Sequence, residues 1–396
     1  YGTIGSGVYE VLDKNCKSVE KKAGEPIEVK YILDLREFPG SPVEKLVIHD
    51  VEQIVNDPEI GIVVETMGGT KPAYEFVRRC LLAGKHVVTS NKALVAANGT
   101  ELIRIAAEKN ISFLFEASVG GGIPIIRPLV ECLGGEEILE ISGILNGTTN
   151  YILTKMNEEG WSFEEALKRA QELGYAERNP ETDIEGYDTC RKIAILTAVA
   201  TGKEVNYEEI PTQGITKITS MDSSYAAHMG AAIKLFGTSV NKDGKIYLEV
   251  APVLVDAKDP LYAVTDVFNG ILVVGNMLGA SMFYGSGAGK LPTASAVVGD
   301  MISAVRFGDE PEKIGWSSEK LEVHPAAELS RKYFARFEGS ERAKKEAVAA
   351  AFGDVKFVTL EGTDEFAVLT GEMTGGEFDS AAAKVGGLRQ KIAARL

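Results

Sequence analysis

The stretch GYAERNPETDIEGYDTCRK, from Gly174 to Lys192, packs Glu177, Glu181, Asp183, Glu185, Asp188 and Lys192 into one short polar segment. Asp188 and Lys192 stand four residues apart inside Tyr187 to Ala200, a run apolar enough for a buried helix. Both side chains therefore leave one face near its N-terminal end. A carboxylate and an ammonium presented together suit a small zwitterion, with acids for its amino group and a lysine for proton transfer at a reacting oxygen. Upstream, Ser162 and Glu165 have the spacing of a capping box ahead of Phe163, Ala166, Leu167, Ala170 and Leu173, which predicts a helix leading into the acidic segment.

Elements able to position such a site begin at residue 1. Gly2, Gly5 and Gly7 precede Val8, Val11 and Leu12 at helical spacing, and Ile27 to Asp34 reads as a strand tipped by an acid. Glycines, then helix, then acid-tipped strand is the order of a dinucleotide-binding βαβ unit. Gly2 and Gly5 would be the last two glycines of G-x-G-x-x-G, so the first glycine and the strand ahead of it are expected before Tyr1. Apolar strands then alternate with helices: Ile62 to Glu65, a helix from Pro72, His86 to Ser90, a helix around Leu102 to Lys109, and Ile111 to Glu116. That alternation predicts a parallel sheet covered by helices, with ligands at the carboxyl ends of its strands. Met67 to Thr70, Ser90 to Lys92 and Glu116 to Gly122 all fall on this edge. Lys92 could reach a substrate carboxylate or carbonyl, or a cofactor phosphate. Gly120, Gly121 and Gly122 precede a helix expected near Pro124, and their bend could line up carbonyl oxygens for a hard cation or bring backbone against a cofactor.

Composition narrows the function classes. With 396 residues, 45% of them hydrophobic, two or three domains with sizeable cores are expected. No run approaches the roughly 18 apolar residues of a membrane span. The net charge of −15 would repel phosphate backbones, so no nucleic-acid partner is expected. Cys16, Cys80, Cys132 and Cys190 are dispersed, which points to a reducing, cytoplasmic setting. His49, His86, His228 and His324 are equally scattered and argue against a histidine-based zinc site.

Beyond Ile138 the pattern changes to longer strands and helices. Ile246 to Val250 and Ile271 to Val274 are expected in a mixed sheet. GSGAGK at 285–290 leads into the helix-like Ala294 to Val305, with Pro292 in its first turn. After a polar link from Asp309 to Pro325 come a strand at Tyr333 to Phe337, a helix at Ala343 to Phe352, strands at Val355 to Leu360 and Phe366 to Glu372, and a helix at Phe378 to Val385.

The motifs YGTIGSGV at 1–8, ETMGG at 65–69, TSNKALVA at 89–96, EASVGGGIPIIRPL at 116–129, GILNGTTNYIL at 143–153, the 174–192 run and GSGAGKLPTASAVVGD at 285–300 follow one another in a single order. In that order the chain resembles the homoserine dehydrogenases. The resemblance implies an α/β protein in three parts: a Rossmann-type doubly wound parallel sheet binding NAD(P) over 1–125 plus 285–320, a mixed α+β substrate-binding and dimerisation domain over 126–284, and, over 325–396, a small βαββα module similar to ACT domains. It implies reversible reduction of L-aspartate 4-semialdehyde to L-homoserine with NADH or NADPH, on the route to threonine, methionine and isoleucine.

Carried over by residue, the resemblance assigns Glu177 and Asp183 to the substrate's amino end, with Tyr175, Gly147 and Thr148 lining the same pocket. Asp188, Lys92 and Lys192 are the catalytic positions. Thr3, Ile4, Thr66, Thr89, Ser90, Lys92, Gly285 and Gly287 join the fingerprint residues Gly2, Gly5, Asp34 and Arg36 on the cofactor side. Backbone oxygens of Glu116, Val119, Gly121 and Ile123 would hold a sodium ion. Either lysine could give the proton. Lys192 is preferred for its place beside the acidic cluster, oriented and kept charged by Asp188, with Lys92 shared between substrate carboxylate and nicotinamide. Asp34 is placed to accept from a ribose 2′-OH, favouring NAD, whereas Arg36 would meet a 2′-phosphate. The two point in opposite directions, with a lean to NADP(H) from the resemblance. The C-terminal module has Glu338-Gly339-Ser340-Glu341 where ACT domains carry Asp-x-Pro-Gly, so a threonine effector and a structural or dimerising tail both stand. A homodimer or homotetramer is expected. The rival reading, a non-catalytic dinucleotide sensor, is opposed by Glu177, Asp183, Asp188 and the two lysines.

Overall fold

The computed structural model describes residues 1–308 and 310–396. Asp309, the first residue of the expected polar link, lies outside the described residues. In chain order the strands are β1 (Ile32–Leu33), β2 (Val47–Ile48), β3 (Ile62–Glu65), β4 (His86–Thr89), β5 (Phe113–Leu114), β6 (Ile138–Ile144), β7 (Ala231–Lys242), β8 (Lys245–Asp256), β9 (Phe268–Gly275), β10 (Gly279–Ser286), β11 (Val323–Pro325), β12 (Lys332–Glu338), β13 (Lys356–Thr359), β14 (Glu365–Leu369) and β15 (Leu388–Arg395). The chain divides into two units, the first made of residues 1–136, 194–207 and 285–321, the second of 137–193, 208–284 and 322–396.

In the first unit β3, β4 and β5 form a parallel sheet, Val63 opposite Val87 and Val88 opposite Leu114. Helices Ala73–Leu82 and Lys92–Lys109 connect them and bury Val77, Cys80 and Leu81, and Leu94, Leu102 and Ile105. This is the parallel, helix-covered sheet expected from the alternation of elements. Two local expectations are corrected and a third is refined. The run Ile27 to Asp34 is laddered only at Ile32 and Leu33, parallel to β2, because it has no second neighbour in that two-stranded sheet. The helix expected around Leu102 already starts at Lys92, because Asn91 Oδ1 accepts from the Leu94 amide at 3.1 Å and caps it. The helix expected near Pro124 is present and begins at Ile126, with the Leu129 amide donating to the Ile125 oxygen at 3.0 Å. The Glu116 carboxylate accepts from the first amides, those of Ile125, Ile126 and Arg127, at 2.6, 2.8 and 2.8 Å, and the helix runs on as a π-turn at Pro128–Cys132.

In the second unit a mixed ten-stranded sheet runs in the order β10-β9-β6-β7-β8-β15-β12-β14-β13, with β11 added to β8. The long β7–β8 hairpin turns at Asp243-Gly244, whose φ values of 56° and 79° suit the tight turn that matches strand twist. β12, helix Glu341–Phe352, β13, β14, helix Gly375–Val385 and β15 close a small module around Phe337, Phe366, Phe378, Tyr333, Val348 and Phe352. Its sixth element, β15, lies beyond the βαββα order read from the sequence. It runs antiparallel to β12 and parallel to β8, so the module and the preceding strands share one sheet.

Candidate active site

Helix Tyr187–Thr201 carries Asp188 and Lys192, which are only 2% and 7% exposed. Lys192 Nζ donates to Asp188 Oδ2 at 2.7 Å and to the Leu145 backbone oxygen at 2.6 Å. Leu145 directly follows β6, and the next residue closes the constellation. Asn146 Nδ2 donates to Asp188 Oδ2 at 2.9 Å and to Asp183 Oδ1 at 2.8 Å. Its Oδ1 accepts from the Thr149 amide at 2.9 Å and caps helix Gly147–Glu158. A strand end, a helix cap and a second helix face thus fix one ammonium against one carboxylate. Removing both from water costs several kcal/mol per ion, a cost that good geometry offsets and that functional sites commonly carry.

The other residues expected on the substrate side lie on helix Gly147–Glu158 and on the loop ahead of Asp183. Thr148 Oγ1 donates to the Tyr175 backbone oxygen at 2.7 Å, and the Tyr175 ring meets Tyr151 edge-on with centroids 5.2 Å apart. A Cβ on Gly147 would stand 2.7 Å from the Val267 oxygen, so only glycine lets the helix start this close to that backbone. Glu177 lies on the same loop with its side chain exposed. Asn146 was not singled out from the sequence. The available signal was a capping residue between an apolar strand and Gly147-Thr148-Thr149.

Every residue expected on the cofactor side, Lys92 included, belongs to the first unit. Thr89 Oγ1 donates to Glu65 Oε2 at 2.5 Å, the Met67 amide donates to Glu65 Oε1 at 2.6 Å, and Asn91 Nδ2 donates to the Gly69 oxygen at 2.6 Å. Glu65 and Asn91, unremarked in the sequence, therefore pin the ends of β3 and β4 around Thr66, Ser90 and Lys92. A Cβ on Gly5 would stand 3.2 Å from Thr66 Oγ1, which puts the start of helix Thr3–Lys14, capped by Gly2, at the same edge. Gly121 has φ +56° and a Cβ there would lie 2.5 Å from the Gly287 oxygen, while the Gly122 amide donates to Ser286 O at 3.1 Å. The late glycine loop with Gly285 and Gly287 is thereby closed onto the Glu116–Gly122 bend. Arg36 forks onto Asp34, Nε to Oδ1 at 3.0 Å and Nη2 to Oδ2 at 2.9 Å, and holds that carboxyl well below the usual range. Glu116 spends its carboxylate on three amides. Among the described residues no group of His, Cys, Asp or Glu is arranged to hold a metal, so a cation at this bend would rest on carbonyl oxygens.

Comparison with known proteins identifies the lineage. Residues 1–116 match the family model of the homoserine dehydrogenase NAD-binding domain, and residues 124–302 match that of homoserine dehydrogenase. The homoserine dehydrogenase of Synechocystis sp. is 42% identical over 353 residues, 85% of this chain and 81% of that protein. This chain belongs to the homoserine dehydrogenase family. The Bacillus subtilis homoserine dehydrogenase is 40% identical over 308 residues, 77% of this chain and 71% of its own. The crystal structure of homoserine dehydrogenase from Thiobacillus denitrificans superposes with a TM-score of 0.90 at 33% identity, over 100% of this chain and 96% of that one. A hyperthermophilic archaeal homoserine dehydrogenase in complex with NADPH gives 0.64 at 27% identity, over 76% and 94%. The chain is accordingly a homoserine dehydrogenase, an NAD(P)-dependent oxidoreductase whose parallel sheet serves the nucleotide.

Proposed function

We propose that this homoserine dehydrogenase interconverts L-aspartate 4-semialdehyde and L-homoserine with Lys192 as the group that gives and takes the proton at the reacting oxygen. One observation carries the reading: a buried ammonium held by Asp188 and the Leu145 carbonyl, with Asn146 linking that carboxylate to Asp183. The nicotinamide, when bound, supplies or accepts the hydride. As negative charge develops on the aldehyde oxygen, the Lys192 ammonium stabilises it and transfers its proton, while Asp188 keeps the chain of the lysine aimed. Asp183 and Glu177 hold the substrate ammonium, with Thr148 and Tyr175 beside them. Lys92, at the first turn of its helix, holds the substrate carboxylate or the nicotinamide side. Lys192→Ala should lower turnover by roughly 100-fold or more while the KM for NADPH stays within about threefold. Initial rates followed by NADPH absorbance check this, and a variant keeping most of its turnover refutes it.

Finer features belong to the same proposal. NADP(H) is the preferred nucleotide, with Arg36 leaving Asp34 to meet a 2′-phosphate; kcat/KM for both nucleotides decides it. The backbone oxygens of Glu116, Val119, Gly121 and Ile123 take a sodium ion, a role suited to the left-handed Gly120 and Gly121 at φ +72° and +56°. The C-terminal module is an ACT-like regulatory domain. An open recess of about 660 Å³, lined by Glu338, Lys344, Asp364 and Arg389 among others, is where an amino acid such as threonine binds, taking Arg389 from its pair with Glu338. β10, at one end of the sheet order and carrying exposed Met282 and Tyr284, supports self-association into a homodimer or homotetramer. Among the described residues no helix is long and apolar enough to cross a membrane. A cytoplasmic location completes the reading.

A further inference from the structure

A second buried lysine takes no part in the chemistry above. Lys234, in β7, is 2% exposed. Its Nζ donates to the Val264 backbone oxygen at 2.6 Å and to Asn150 Oδ1 at 3.4 Å. Asn150 Nδ2 donates in turn to the oxygens of Val264 and Phe268, at 3.2 and 3.1 Å. One helical turn on, Thr154 Oγ1 accepts from the Asp266 amide at 3.1 Å, and Lys155 pairs with the Asp266 carboxylate at 3.3 Å. The turn from Val264 to Phe268 is therefore tied at both ends and in its middle to helix Gly147–Glu158. Asp266 has φ +52°, a backbone conformation unfavourable for a residue with a side chain, and these bonds hold it there.

The turn also has a working end. The Val267 oxygen is the atom that a Cβ on Gly147 would meet at 2.7 Å, and Gly147 opens the helix whose next residue, Thr148, binds the Tyr175 carbonyl. Val264 belongs to an apolar cluster with Ile144, Phe236, Val253, Leu261 and Leu272. In such surroundings a methionine would pack at lower cost than an ammonium, which must be desolvated. What the ammonium adds is a directed donor that fixes one carbonyl, and through it the Val267 oxygen.

We propose that Lys234 is a positioning residue of this enzyme: it fixes the Val264–Phe268 turn, whose Val267 oxygen seats Gly147 and Thr148 at the mouth of the substrate pocket. The inference rests on the reading that Thr148 lines that pocket, so Thr148→Ala is measured alongside. Lys234→Met should raise the KM for L-homoserine about tenfold, since small misplacements of a binding group are expensive, while the KM for NADP+ stays within about twofold. Thr154→Val, which cuts the tie to the Asp266 amide at nearly constant volume, should move the same constant in the same direction by a smaller factor. A folded Lys234→Met enzyme with an unchanged homoserine KM, or with both KM values raised equally, overturns the proposal while Thr148→Ala still shows its effect. If Thr148→Ala also leaves the homoserine KM unchanged, the pocket reading falls and takes the inference with it. Should Lys234→Met fail to fold, Thr154→Val decides. Failure of both to fold beside a folded Thr148→Ala overturns positioning in favour of a purely structural role.

Discussion

Asn146 concentrates three tasks in one side-chain amide: its oxygen caps a helix, and its nitrogen binds both Asp183 and Asp188. The tasks can be separated. Asn146→Ser retains a capping oxygen and should leave the thermal midpoint within about 2 °C, yet loses the two carboxylate contacts and should lower kcat roughly tenfold. Asn146→Ala should show the same rate loss and a further loss of about 1 kcal/mol in stability, read from thermal unfolding beside initial rates. Burial pushes the Lys234 ammonium down to about 8, with Glu158 and Asp266 opposing that shift and Lys155 on the same helix paired to Asp266. Between about pH 8 and pH 10.5 the unfolded chain holds a proton that the folded chain has released, so this group's contribution to stability rises with pH across that window. Wild type should therefore gain on Lys234→Met by on the order of 2–3 kcal/mol from pH 7.5 to pH 10, measured by denaturant midpoints at each pH; an unchanged difference would exclude it. The pair of Asp188 and Lys192 was legible in the sequence because i,i+4 spacing on a helix fixes contact locally. Asn146 and Lys234 were not, since each owes its role to groups far along the chain: Asp183 and Asp188 for one, Val264 for the other.

At the level of elements, local rules worked where the deciding partner is local. The Ser162 and Glu165 capping box is present as read, with helix Phe163–Glu172 behind it. The helix expected near Pro124 starts at Ile126, and its first-turn amides are capped by the Glu116 carboxylate, nine residues or more upstream, a partner that local rules do not announce. β15 was invisible for a different reason. Its buried positions are Gln390, Ile392 and Ala394, a two-residue alternation in which only isoleucine is a strong strand former. Its place in the sheet is nonetheless central, between β8 and β12, with Arg395 bound to Glu140 and Asp259. Deleting residues 388–396 should expose two strand edges at once and give aggregated protein on size-exclusion chromatography, with loss of strand signal in circular dichroism. A soluble monodisperse product with native strand content would show that the sheet holds together without β15.

Over the whole molecule, the chain leaves its nucleotide-binding unit and re-enters it twice, at 194–207 and 285–321. The second return carries a motif, GSGAGK, that can be read from sequence; the first is a matter of packing alone and no motif announces it. Fold class was legible because glycine fingerprints and strand–helix alternation are local patterns, and activity because seven motifs follow the order of the homoserine dehydrogenases. The central place of β15 has a consequence for biogenesis. The ribosome must have released residues 388–395 before β8 and β12 can meet their shared neighbour, so the sheet stays open while everything between β8 and β15 is made, and its half-built edges are where a nascent-chain chaperone would be needed.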